Sequence, residues 1–166
     1  GGYIKTFTVN GGNITEVAKL KHFTSTVYDN SLIHVDGNTF ALAWSDNSYD
    51  GHITTFTISN DGATITEVAT LEHDTGHGRY PSFEPLDSDT YVLAYQGTSS
   101  DGFIKTFTIA ADGATITQVA SLEHDESYAI YNSLIKTDVN TFLLAYSGDG
   151  DDGYAKTFTI PADGSS

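Results

Sequence analysis

Three kinds of side chain in this sequence can do chemistry, and one of them returns at a fixed spacing. A histidine recurs in Lys21-His22-Phe23, Glu72-His73-Asp74 and Glu123-His124-Asp125, flanked by carboxylates in the last two. An imidazole beside acids can ligate a metal or change charge near neutral pH, so His73 and His124 are candidate ligand-binding residues. A histidine that closes a strand by hydrogen bonding to the following loop would leave the same pattern. The second group is aromatic: Tyr28, Tyr49, Tyr80, Tyr128 and Tyr131 stand in variable stretches beside Asp, Asn and His. Such rings stack on the C–H faces of sugars while polar neighbours take the hydroxyls. Tyr28, Tyr80 and Tyr131 are therefore candidate glycan contacts, although the same rings would also serve to cover sheet edges. Arg79, the only arginine, joins them in the irregular segment Gly76-His77-Gly78-Arg79-Tyr80-Pro81. The third group is acidic: Asp149, Asp151 and Asp152 in Ser147-Gly148-Asp149-Gly150-Asp151-Asp152-Gly153 combine hard oxygens with a backbone free to bend. Those are the ingredients of a calcium loop, without the spacing of an EF-hand. Asp-Gly is equally a turn signal, and only Asp50, Asp101 and Asp152 recur in every unit. No cofactor is required by these readings; Ca2+ is the one ion the acidic loop suits.

Catalytic constellations are not expected. The sequence has no Gly-x-Ser-x-Gly elbow, no phosphate-cradling loop and no His-Glu-x-x-His. Carboxylates are so abundant that a pair at glycosidase separation would arise by chance, which leaves a glycoside-active enzyme the least supported class. With 22 acidic against 7 basic residues the formal charge is −15, so nucleic acid and anionic membrane surfaces are poor partners. No run of apolar residues is long enough for a helical membrane span. Cysteine is absent, which removes disulfides, thiolate nucleophiles and cysteine-based zinc sites. An acidic surface with few lysines suits a secreted or extracellular protein.

The elements that must position these groups are strands. The 166 residues carry units 2–50, 51–101 and 102–152 and a partial unit 153–166, a period of about 51 residues within one repeat domain, 1–166. Each opens on glycine, and Tyr3-Ile4-Lys5-Thr6-Phe7-Thr8-Val9 returns as His52 to Ile58, Phe103 to Ile109 and Tyr154 to Ile160. Alternating Thr-Phe-Thr, a turn at Asn60-Asp61-Gly62, and Thr64 to Leu71 read as two strands joined by a hairpin. A strand around Ser82-Phe83 (Ser31 to Ile33 and Ser133 to Ile135 elsewhere) and one such as Thr39 to Trp44 complete the unit. In Phe40-Ala41-Leu42-Ala43-Trp44 both faces are apolar, one bulky and one small, as in a sheet packed between two others. Phe7, Phe56, Phe107 and Phe158, with Trp44, Tyr95 and Tyr146, are the expected core.

The stretch from Ser133-Leu134-Ile135 through Phe142-Leu143-Leu144-Ala145-Tyr146 to Thr157-Phe158-Thr159-Ile160 resembles a β-propeller blade of the WD-like, YVTN-like or kelch-like kind, without a subfamily signature. The resemblance implies an all-β fold of four-stranded antiparallel blades, about three per chain. It also implies a chain that begins in the third strand of one blade and stops after the third strand of another. A β-trefoil or threefold β-prism is the alternative, though neither has a slot for the fourth copy at Gly153 to Ile160. Propellers have 4–8 blades, so the expected partners are further copies in a homo-oligomer, or the remaining blades of a longer propeller. The expected function is a non-catalytic binding or structural module, the alternative a calcium-assisted, lectin-like glycan binder.

Overall fold

The computed structural model describes residues 1–165 and is built from antiparallel strands with no α-helix among the described residues. A leading hairpin of β1 (Gly2–Asn10) and β2 (Asn13–Phe23) comes first. Blade I is β3 (Tyr28–Asp36), β4 (Thr39–Ser45), β5 (Gly51–Ile58) and β6 (Ile65–Asp74), paired in chain order. Blade II repeats this with β7 (Arg79–Pro85), β8 (Thr90–Gln96), β9 (Gly102–Ile109) and β10 (Ile116–Asp125). A trailing sheet holds β11 (Ile130–Asp138), β12 (Thr141–Ser147) and β13 (Gly153–Thr159). The leading hairpin thus supplies the third and fourth strands of a blade, and the trailing sheet the first three. This is a β-propeller-type fold, as the resemblance implies.

The second strands explain the two-faced apolar pattern. Tyr91, Leu93 and Tyr95 of β8 pack toward Ile33, Ala41, Ala43 and Ile53 of blade I. Val92 and Ala94 of the same strand face Leu134, Phe142, Leu144 and Tyr146 of the trailing sheet. Strand alternation therefore sends large side chains to the preceding blade and small ones to the next.

Polar contacts pin the blades in register. The Phe83 amide donates to Ser31 Oγ at 3.0 Å, and the Leu134 amide to Ser82 Oγ at 2.9 Å, between successive innermost strands. Thr6, Thr55 and Thr106 hydroxyls donate to the carbonyls of Gly62, Gly113 and Gly164 at 2.7, 2.7 and 2.6 Å. These glycines have φ of 71°, 75° and 73°, so the turn after each of these third strands needs the left-handed conformation that glycine adopts without strain.

Core status depends on having neighbours on both sides. Phe56 and Phe107 are fully buried, whereas Phe7 at the equivalent position of β1 is 54% exposed. Leu32 is 56% exposed where Phe83 and Leu134 are buried. Phe7 departs from its expected core role because no second strand lies beside β1. An exposed phenylalanine of this size forgoes about 2 kcal/mol of burial.

Candidate ligand-contact site

The inner strands β3, β7 and β11 all start on a residue pattern that bends the chain. Asp29, Tyr80 and Tyr131, at equivalent positions, have φ of 45°, 51° and 54°. Pairing slips at each of these places, between Tyr28 and Asn30, Arg79 and Ser82, and Ile130 and Ser133. Left-handed backbone at non-glycine residues stores strain and concentrates at functional sites. The three bends are tied together: Asp29 Oδ2 accepts from Arg79 Nε at 2.9 Å and from the Tyr80 amide at 3.3 Å, and Asn132 Nδ2 donates to the Tyr80 carbonyl at 3.2 Å.

Arg79 is the centre of this end of the molecule. Its guanidinium lies 5.3, 4.9 and 4.6 Å from the ring centres of Tyr28, Tyr49 and Tyr80. Burial alone would lower its pKa, but the Asp29 carboxylate outweighs that and holds it raised. Burial raises the Tyr80 phenol. Tyr80 meets Tyr131 edge-on at 4.9 Å, and Tyr131 leaves 68% of its surface open. The His77 ring lies tilted against Tyr49 at 5.3 Å, and Tyr49 takes φ of 73°. Of the expected glycan contacts, Tyr28, Tyr80, Tyr131 and Arg79 are therefore brought to one end of the inner strands. Asp29, which organises them, was not singled out by the sequence; its signal is its alignment with Tyr80 and Tyr131.

The expected histidine ligands go elsewhere. His73 is 7% exposed, with its ring 4.9 Å from Tyr95 and 6.0 Å from Phe107 of the next blade. His124 repeats this against Tyr146 and Phe158 at 5.2 and 5.7 Å, and His22 against Trp44 and Phe56 at 5.1 and 5.9 Å. Each imidazole lies on the glycine that opens the unit: a Cβ on Gly51 would sit 2.6 Å from His73, one on Gly102 2.5 Å from His124. Neither ring nitrogen of His73 or His124 has a protein partner, so no hydrogen bond to the following loop forms. Burial pushes the His73 pKa down to about 3 and that of His124 to about 4, keeping both neutral.

Beside each of these two rings lies a polar corner that the sequence reading did not assemble. Tyr95 donates to Asp74 at 2.8 Å, and Lys105 Nζ donates to the His73 carbonyl at 2.6 Å, 3.8 Å from Asp74. Tyr146, Asp125, Lys156 and the His124 carbonyl repeat the arrangement at 2.6, 2.6 and 3.2 Å. Burial opposes ionisation of Asp74 and Asp125, yet the amide, hydroxyl and ammonium donors around them hold both below the usual carboxylate range. Recurrence of Asp, Tyr and Lys at one spacing was the available signal.

Asp149, Asp151 and Asp152 form an exposed turn before β13, in which Gly150 and Asp151 take left-handed backbone with φ of 72° and 61°. Among the described residues no three His, Asp or Glu side chains gather as a metal cage.

No family model and no curated protein matches this chain. Among solved structures, a protein from Lactobacillus plantarum is similar at TM-score 0.70 and 14% identity, over 96% of this chain and 48% of its own. A 6-phosphogluconolactonase-like protein from Bacteroides fragilis has TM-score 0.72 and 16% identity, over 97% of this chain and 45% of its own. A Streptococcus pneumoniae sialidase gives 0.62 at 9% identity, over 93% and 26%. At these identities the likeness is one of fold, and the chain spans less than half the length of each.

Proposed function

We propose that this chain is a non-catalytic propeller module, completed by further blades and presenting the Arg79–tyrosine end as its contact surface. One observation carries the reading: positions that are buried inside blades I and II are bare at the leading end, where Phe7 and Leu32 line one open groove. Phe7 and Leu32 are 54% and 56% exposed against 0% for Phe56 and 2% for Phe83. Contiguous apolar surface of that kind marks an interface. The non-catalytic part is supported by the histidines, which are neutral and walled in by aromatic rings. Light scattering of the purified chain tests completion by further copies. A mass above 17.8 kDa is expected; a compact monomer at every concentration would overturn it.

A glycan-binding reading has its own support in Tyr131. Its ring is open, Tyr80 stands beside it, and the buried Asn132 Oδ1 has no partner. A glycan array with and without calcium tests it. Binding that Tyr131→Ala abolishes is expected, and an array blank in both conditions removes the reading.

A further inference from the structure

We propose that two copies of this chain close one ring by strand exchange, the β1–β2 hairpin of each copy displacing β13 from β12 of the other. This deepens the completion reading above and rests on it. The chain carries two versions of one strand. β1 reads Gly2-Tyr3-Ile4-Lys5-Thr6-Phe7-Thr8 and β13 reads Gly153-Tyr154-Ala155-Lys156-Thr157-Phe158-Thr159, differing only at Ile4 and Ala155. β12 holds β13 with Thr141 opposite Thr159, Phe142 opposite Phe158 and Ser147 opposite Gly153. The same register on β1 places Thr8, Phe7 and Gly2 at those sites, so the edge of β12 offers both strands nearly the same partner. Exchange would bury Phe7, which lies open beside no second strand.

What separates the two strands is what each brings. Among the described residues β13 pairs only with β12, and a groove of about 250 Å³ runs along it, lined by Ala120, Leu122, Phe158, Ile160 and Gly164 among others. β1 arrives already paired to β2. Ile14 of β2, now 72% exposed, is equivalent to Ile65 and Ile116, which pack against the core cluster of the preceding junction. The hairpin also keeps its own seat on blade I, where Ile4 is buried and Thr6 bonds Gly62. β13 is in this respect a placeholder for a complete hairpin.

The ladder between innermost strands supports the same partner. Ser31 and Ser82 each accept an amide from the next blade, while Ser133 is exposed and accepts none among the described residues. The amide of Leu32 in the second copy is its counterpart. With β13 displaced, each chain contributes three blades: I, II, and one shared blade from its own β11–β12 and the other's hairpin. Ring sizes are then multiples of three, and only six lies within the usual 4–8 blades. A head-to-tail contact repeated twice closes such a ring.

The absence of cysteine makes a covalent test clean. Thr141→Cys with Thr159→Cys, opposite each other in β12 and β13, locks β13 in place when oxidised. The oxidised variant is expected to remain at 17.8 kDa and to double its mass on reduction. Thr8→Cys with Thr141→Cys is expected to form a disulfide between two chains, visible on a denaturing gel. Assembly of the locked form to the same extent as the reduced form would overturn the exchange. So would interchain cross-linking through Thr15→Cys with Thr159→Cys instead, which reports β2 adding to a retained β13. In either case a doubled wild-type mass leaves the completion reading standing. A wild type that stays at 17.8 kDa removes both.

Discussion

The two junctions that flank blade I share one backbone plan and are closed by different chemistry. Between the leading hairpin and blade I the corner is apolar: Phe23 packs on Trp44 at 4.9 Å, and Trp44 Nε1 donates to Thr54 at 2.9 Å. Between blades I and II the same three positions are Asp74, Tyr95 and Lys105, joined by hydrogen bonds and charge. Both corners keep the imidazole over its glycine, His22 on Gly2 and His73 on Gly51. The ring-on-glycine contact is therefore the common structural requirement, and the remaining three positions need only satisfy one another. A polar corner has more to lose when one member is removed, since each partner is then left desolvated.

The largest contrast should appear in acid. His73 has a folded pKa of about 3, against about 6.5 when unfolded. The unfolded chain therefore takes the proton first. The stability that His73 contributes is complete above pH 6.5 and falls as pH drops toward 3, at about 1.4 kcal/mol per pH unit. Asp74 and Asp125, lowered in the fold, contribute stability present above about pH 3.9. They lose it only below that, so the loss between pH 6.5 and 4.5 comes from the lowered histidines, against an opposing gain from Glu84 and Glu123, whose carboxyls are raised in the fold. Urea unfolding should show His73 removing about 3 kcal/mol across that interval. His73→Phe should flatten the slope; an unchanged slope would mean that His73 is protonated in the folded state.

Asp74→Ala comes next. It strands the Tyr95 hydroxyl and takes the carboxylate from Lys105, whose side chain is 11% exposed. A loss of about 2 kcal/mol is expected at pH 7. Asp125→Ala should cost less, because Lys156 is 36% exposed and water replaces its partner. Equal losses in urea titrations would show that exposure does not set the difference.

The repeat, its four strands, and the points where the strand pattern opens and closes were all legible in the sequence, because alternation and a fixed period need no knowledge of neighbours. Which phenylalanine is core was not: Phe7 and Phe56 sit in nearly identical stretches and differ only in whether a second strand lies beside them. The histidines looked like ligands because their acidic neighbours are adjacent in sequence. In the fold Asp74 turns to Tyr95 while the imidazole turns to Gly51. The Arg79 site was half visible. Its tyrosines stand out as aromatics in variable stretches beside polar residues, but Asp29 enters only through a backbone bend that brings its carboxylate to Arg79, 50 residues away in sequence.

A smaller effect separates inner from outer ladder positions. Ser82→Ala removes the acceptor of the Leu134 amide and should cost about 1 kcal/mol. Ser133→Ala removes an exposed oxygen that has no partner among the described residues and should leave the monomer's stability unchanged, as read by thermal unfolding. A matching loss at Ser133 would mean that its oxygen is already engaged in solution.

The finest probe transplants one corner into the other. Phe23→Asp alone places a carboxylate against the Trp44 ring and should destabilise by about 2 kcal/mol. Adding Trp44→Tyr and Thr54→Lys supplies the donor and the ammonium that Asp74 finds in Tyr95 and Lys105. The triple variant should then return to within about 1 kcal/mol of the original, with a coupling among the three sites larger than any pair of them shows. The reason is geometric: His22 lies over Trp44 and Phe56 at 5.1 and 5.9 Å, as His73 lies over Tyr95 and Phe107 at 4.9 and 6.0 Å, so the backbone already offers the polar corner its places. Thr54 carries one constraint that Lys105 does not, a 3.0 Å contact to Thr70 on the neighbouring strand. If the triple variant stays as unstable as Phe23→Asp, the corner's chemistry is fixed by its surroundings in blade I, and that threonine pair is the contact to restore first.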